Sequence, residues 1–245
     1  GWTDYTKRVY YRTYDVSTML MNGKNTLGVE LADGWYCGYV GWGQNRNHYG
    51  KYPRAKVQLH IHYADGTTQV VKSDSSWQAT DGPTREADFL MGEAYDATVA
   101  NSNWCTTDFD VSDWDAVALG AELDPTIQAH PGPPVVAIQE FTPTSISQPR
   151  PGTYVFDLGQ YIAGVARLQV QGRAGQRIKL RFAERLNPDG TLYTANLRGA
   201  RTIDTYICRG SGKEIWQPRF TFHGFQYVEV TGLDQPPSKE TITGI

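Results

Sequence analysis

GVARLQVQGRAGQRIKLRFAERL, residues 164–186, is the stretch that settles the fold class. Leu168 and Val170 before Ala174-Gly175, and Ile178, Leu180 and Phe182 after it, fall at every second position. That period places one set of side chains on one face of a strand. The two runs read as arms of a hairpin, with Val165, Leu168 and Val170 answering Ile178, Leu180 and Phe182 across the turn.

The same texture extends in both directions. GTYVFDLG (152–159) reads as a strand, and IWQPRFTFHGFQYVEVTGL (215–233) as a long alternating stretch interrupted at His223-Gly224. In the first half, RVYYRTYDV (8–16) and TLGVEL (26–31) read as strands, with one helical turn at 17–25 between them. AKVQLHIHY (55–63) sets Val57, Leu59, Ile61 and Tyr63 against Gln58, His60 and His62, and a hairpin turn follows at Ala64-Asp65-Gly66-Thr67. No amphipathic helix of useful length stands out. The expectation is an all-β chain of two antiparallel β-sandwich (jelly-roll-like) domains in tandem. The Pro/Gly segment HPGPPV (130–135) marks the boundary, giving domains 1–135 and 136–245.

Composition agrees: 15 Tyr, 7 Trp, 25 Gly and 13 Pro among 245 residues favour strands and turns over helices. A net charge of −3 without a basic run argues against a nucleic-acid partner. No apolar run reaches membrane-spanning length, so no membrane partner is expected. Cys37, Cys105 and Cys208 are far apart and form no CxxC. They read as reduced thiols, which favours a cytoplasmic over a secreted setting; one disulfide plus a spare thiol is the alternative. Gly1 leads straight into strand-like sequence, so the chain reads as cut from something longer.

Function is sought first in DGWYCGYVGWGQNRNHYG, residues 33–50, where five aromatic rings sit among five glycines with Asn45, Arg46, Asn47 and His48 between them. Such a loop is either a plug for its own core or a platform for a flat, partly apolar ligand. Sugars fit the second description: a C–H face stacks on a ring while hydroxyls seek amides, carboxylates and guanidinium. Asp33, Glu93, Asp96, Asp157, Glu184 and Asp189 are the carboxylates weighed for acid–base work. Glu93 and Asp96 flank Tyr95 on an expected loop, and Asp33, Asp157 and Asp189 read as turn residues. His60 and His62 share a strand face without a third ligand. His223 reads as a buried histidine bonded to backbone, and Arg198, Arg201 and Arg219 as solvated.

DGWYxGxxGWGxNRNxYG (33–50), GPPV (132–135), YVFDLGQ (154–160), FAERLNPDGTLYTANLRGA (182–200) and PRFTFHGFQYVEVTG (218–232) resemble bacterial α-L-rhamnosidases, specifically the two β-sandwich modules that precede their catalytic (α/α)6 barrel. The resemblance implies a galactose-binding-like module over 1–135 and a concanavalin-like one over 136–245. It also implies an inverting hydrolase of terminal α-L-rhamnose whose acid and base lie in the barrel, so residues 1–245 alone carry no catalytic residue. The implied partners are an L-rhamnose-containing glycan or glycoside and the chain's own C-terminal (α/α)6 domain. In some of the rhamnosidases it resembles, related modules hold rhamnose through a calcium ion. On that analogy Trp2, Asp4, Trp35, Tyr36, Trp42, Asn45 and Asn47 are the candidate sugar contacts. Asp4, Asp33, Asn45 and Asn47 are the candidate ligands of an optional calcium ion, and no cofactor is required. The same loop packing on the barrel is the competing assignment. One departure stands out: Tyr161 follows Gln160 where the family has Asn. A free-standing carbohydrate-binding protein is the alternative to the hydrolase accessory part.

Overall fold

A computed structural model describes residues 2–41, 45–120 and 125–245. The chain forms two compact units that interleave along the sequence: Gly1–Leu31, Tyr52–Gly82 and Asn101–Gly132 in one, Ala32–Lys51, Pro83–Ala100 and Pro133–Ile245 in the other. The aromatic stretch 33–50 and the segment around Glu93 thus belong with the second half of the chain. Strands dominate, as expected, and among the described residues helix is limited to single turns.

The second unit holds ten principal strands: β1 (Thr84–Asp88), β2 (Gly92–Asp96), β3 (Ser145–Arg150), β4 (Thr153–Gly164), β5 (Ala166–Gln171), β6 (Arg177–Ala183), β7 (Ile203–Ile207), β8 (Lys213–Trp216), β9 (His223–Thr231) and β10 (Ile242–Gly244). Seven form one sheet in the order β3-β4-β9-β6-β7-β2-β1, and three form a second in the order β8-β5-β10. Phe156, Val228, Val230, Ile178, Leu180, Phe182 and Phe225 from the large sheet pack with Leu168, Trp216 and Ile242 from the small one. All ten are buried, making a sandwich core of interdigitated side chains.

Several expectations change at this level. The 164–186 hairpin does not form: β5 pairs with β8 and β10, whereas β6 pairs with β7 and β9. The apolar residues do answer one another, but across the core instead of along a ladder. Alternation reports which face is buried and is silent about the neighbouring strand. Residues 92–96 form strand β2 and not a loop, and β2 runs parallel to β7, a departure from a purely antiparallel sheet. Gly92 makes this possible, because at φ 102 its backbone lies where a Cβ would overlap the Ile203 carbonyl. The interruption of the last aromatic stretch falls at residues 217–222, and His223 opens β9.

The first unit contains three two-stranded ladders. Arg8–Tyr11 pairs with Thr126–Ala129 in parallel, Gln58–His62 with Thr68–Lys72 around the expected turn, and Gln78–Ala79 with Asp115–Ala116. The strand expected over 8–16 stops at Tyr11, and that expected over 26–31 forms no ladder among the described residues. The helical turn shrinks to Ser17–Met19.

Candidate functional site

The aromatic loop is built from its backbone outward. Gly34–Cys37 make one helical turn, in which the Cys37 N–H donates to the Asp33 carbonyl at 3.0 Å. The chain then runs extended through Gly38, where a Cβ would overlap the Asp88 carboxylate. Tyr39–Val40 pairs with Asn45–Arg46, and Asn47, at φ 61, donates its N–H to the Cys37 carbonyl at 3.1 Å. Asparagine tolerates that left-handed conformation better than most residues. Cys37 and Val40 are buried, whereas Asn45, Arg46, Asn47 and His48 are exposed.

Beneath the loop lie acids that the protein uses as anchors. Asp88 is buried; one oxygen accepts from the Tyr39 N–H, and the other from the Leu90 and Met91 N–H groups at 2.7 and 2.9 Å. Glu93, equally buried, accepts from the N–H groups of Arg219 (3.0 Å) and Phe220 (2.8 Å), fixing the 217–222 segment against β2. The Glu93 N–H donates to Asp204, whose Oδ1 also faces His223 Nε2 at 3.1 Å. His223 is buried as expected, but its partner is this carboxylate and not backbone, and its ring stacks on Phe182 at 4.3 Å. Carboxylates accepting backbone N–H groups are strong anchors when dry.

These anchors bring three rings from distant segments into a row. Trp35 stacks on Phe89 (centroids 4.8 Å apart, planes 15° apart), and Phe89 meets Phe222 edge to face at 5.5 Å. Phe222 is 51% exposed. Tyr36 and Tyr49 lie parallel at 6.4 Å, and His48 meets Tyr49 edge-on at 4.6 Å. Arg46 donates to Asp33 at 2.8 Å and lies 5.8 Å from the centre of the Tyr39 ring. The loop thus carries one end of an aromatic row and, farther along, the exposed Asn45, Arg46 and Asn47.

Of the anticipated sugar contacts, the structure gathers Trp35, Tyr36, Asn45 and Asn47 on this loop. Trp2 and Asp4 belong to the first unit, and Trp42 lies outside the described residues. Phe89 and Phe222 were not anticipated, because nothing local in FLMG or FTFHGF signals that they meet Trp35. Of the anticipated calcium ligands, Asp33, Asn45 and Asn47 lie on this loop and Asp4 in the first unit. Asp4 accepts from the Thr6 N–H and hydroxyl and pairs with Lys7 at 3.1 Å, while Asp33 already faces Arg46. A guanidinium at that oxygen opposes a cation there. Among the described residues, no three His, Cys, Asp or Glu side chains stand where they could hold a metal. His60 lies 3.1 Å from Gln58 Oε1.

The remaining weighed carboxylates are also committed. Asp96 caps a 3-10 turn through Thr98, Asp157 accepts from the Gly159 N–H and Gln226, and Asp189 binds Thr191. Glu184 accepts from the Tyr161 hydroxyl at 3.1 Å. Burial, and then Glu184, raise the Tyr161 hydroxyl above its ordinary range. Tyr161 thus makes its own contact, packing over Gly224. Arg201 pairs with Glu86 and is not merely solvated.

Comparison with known proteins agrees with this architecture. Residues 1–139 match the alpha-L-rhamnosidase N-terminal domain, and residues 147–245 the bacterial alpha-L-rhamnosidase concanavalin-like domain. An alpha-L-rhamnosidase of Streptomyces avermitilis is 47% identical over all of this chain. The crystal structure of the Streptomyces avermitilis enzyme complexed with L-rhamnose superposes with a TM-score of 0.92 at 45% identity, this chain covering 24% of that one. The alpha-L-rhamnosidase of Dictyoglumus thermophilum superposes at 0.90 with 35% identity, 27% of it covered. The chain therefore spans about a quarter of the length of these relatives while matching them along its whole extent. With two family domains and both sequence and fold in agreement, the chain belongs to the α-L-rhamnosidase family.

Proposed function

We propose that this chain is the non-catalytic β-sandwich part of an α-L-rhamnosidase, supporting a catalytic domain outside these residues. The observation that carries the proposal is the state of the acids. Hydrolysis of a glycoside needs two carboxyl groups free to face a glycosidic oxygen and a water. Here Asp88, Glu93 and Asp204 are buried and bonded to backbone N–H groups or His223, and Asp33, Glu86 and Glu184 are held by Arg46, Arg201 and Tyr161. On this reading the Trp35–Phe89–Phe222 row is the face turned toward the rest of the enzyme. Direct contact with L-rhamnose is a second reading, favoured by the exposed Asn45, Arg46 and Asn47 on the same loop as Trp35.

The test assays an aryl α-L-rhamnoside with the full-length protein, with Trp35→Ala and Phe222→Ala in it, and with residues 1–245 alone. The support role predicts no turnover by 1–245. It also predicts that the ring variants lower the thermal midpoint and kcat with little change in KM. The sugar-contact role predicts a raised KM instead, and saturable heat when L-rhamnose is titrated into 1–245. Turnover by 1–245 would end both readings.

A further inference from the structure

The outer face of the seven-stranded sheet carries a cavity of about 340 Å³ that the family assignment does not explain. Its floor is a cross-strand pair: Arg181 on β6 and Glu229 on β9 stand directly opposite in the ladder, with Nη1 and Oε1 2.8 Å apart. The Glu229 side chain is only 8% exposed, so its carboxylate is held in one place. Arg150 and Thr153, opposed in register at the end of β3 and the start of β4, form one rim. Thr191 and Leu192 form the other. That rim is also fixed, because the Thr191 hydroxyl donates to Asp189 at 2.6 Å and Leu192 is buried.

Arg150 is the member without a strong partner. Asp189 lies 3.8 Å from it, with both side chains more than half exposed, a pairing worth little in water. Its planar fork is therefore available for a carboxylate, which a guanidinium binds through two parallel N–H donors. The Arg181–Glu229 pair and the Thr153 hydroxyl offer donors and acceptors to ring hydroxyls, and Leu192 offers an apolar wall to ring C–H groups. Two guanidiniums and one carboxylate line the cavity, with the exposed Asp189 at its edge 3.8 Å from Arg150, so an incoming carboxylate takes Arg150 in competition with that weak pair. A neutral sugar would leave Arg150 unused, and an inorganic anion would leave Glu229 facing like charge. We propose that this cavity binds one carboxylate-bearing sugar residue, a hexuronate, with Arg150 on the carboxylate. The inference shares no residue with the aromatic row, and its test is equilibrium binding, so it stands or falls separately from the rhamnosidase reading.

The test is a titration of the isotope-labelled 245-residue chain, followed by amide resonances. The three probes are methyl β-D-glucuronide, methyl β-D-glucoside and sodium acetate at equal ionic strength. The glucuronide is expected to give saturable shifts at Thr153, Arg181, Thr191 and Glu229. The glucoside should bind at least about tenfold more weakly, and acetate should not saturate. Arg150→Ala should bring glucuronide down to the glucoside level while the thermal midpoint stays put, because the side chain is 68% exposed. Arg150→Lys should recover part of the difference. Equal binding of glucuronide and glucoside, acetate matching glucuronide, shifts confined to other residues, or an Arg150→Ala chain that binds unchanged would each overturn the assignment.

Discussion

The two compact units reach order by different routes. Every buried residue in the described chain belongs to the second unit, where ten strands in two sheets close on one apolar core. None of the described residues of the first unit is buried, and its strands pair only in twos. What the first unit has instead is local. Asp4, Asp15, Asp65, Asp74 and Asp110 each accept from the N–H two residues on, in five Asp-x-Ser/Thr turns. Trp104, Phe109 and Trp114 form a half-buried ring cluster, with Trp104 and Trp114 6.4 Å apart. Two-stranded ribbons are marginal without a face to bury. One polypeptide thus pairs a core-driven unit with a turn-driven one, and their stabilities should differ accordingly.

The largest effect expected from this contrast comes from deleting a ring in each unit. Phe182 is 1% exposed and packs against both His223 and Phe225. Phe182→Ala should cost about 3–5 kcal/mol in urea unfolding monitored by circular dichroism. Trp104→Ala removes a larger ring from a half-buried place and should cost about 1 kcal/mol. Equal losses would mean that the first unit is core-driven too.

A smaller but more local effect is expected at Glu93. Glu93→Gln keeps the shape and one acceptor for the Arg219 and Phe220 N–H groups, but sets an NH2 at the Oε1 place against the Arg219 N–H. Leaving a buried donor facing a donor should cost about 1–3 kcal/mol. Hydrogen exchange should show the loss concentrated in residues 217–222, with Trp35 and Phe222 losing their common support at Phe89. A uniform loss of protection throughout the sandwich would show that Glu93 stabilises the fold in general and not this segment.

How much of this was legible beforehand depended on whether the signal was local. Apolar alternation at 177–183 and the Asp65-Gly66 turn were readable, since both are written in neighbouring residues. Strand β2 was not, because Gly92, Glu93 and Asp96 read as loop residues. Its glutamate is tolerated by virtue of backbone donors 126 and 127 positions later in the chain. The aromatic loop stood out through its five rings and five glycines within residues 33–50. The row it completes was hidden, because Phe89 arrives from the turn after β1 and Phe222 from the segment before β9, and sequence spacing cannot report a contact set by sheet order. The arginine partner of Asp33 was hidden for a related reason, since it is supplied by a ladder two residues long.

The smallest perturbation, a chemical label, makes the sharpest test of the comparison, because the three cysteines divide between the units. Cys105 in the first unit is exposed, whereas Cys37 and Cys208 in the second are buried. Burial, and then the charge of Glu214, push the Cys208 thiol up to about 11. At pH 8 its thiolate fraction is then about 10⁻³, against roughly a quarter for a free cysteine. Iodoacetamide should therefore add one equivalent quickly, at Cys105, and all three only in strong denaturant. If the turn-driven unit opens first, rising urea should change the fluorescence of Trp77, Trp104 and Trp114 while Cys37 and Cys208 stay unlabelled. Should the buried thiols become reactive at the same urea concentration as the tryptophan change, the units unfold as one, and the core of the second must be sustaining the first.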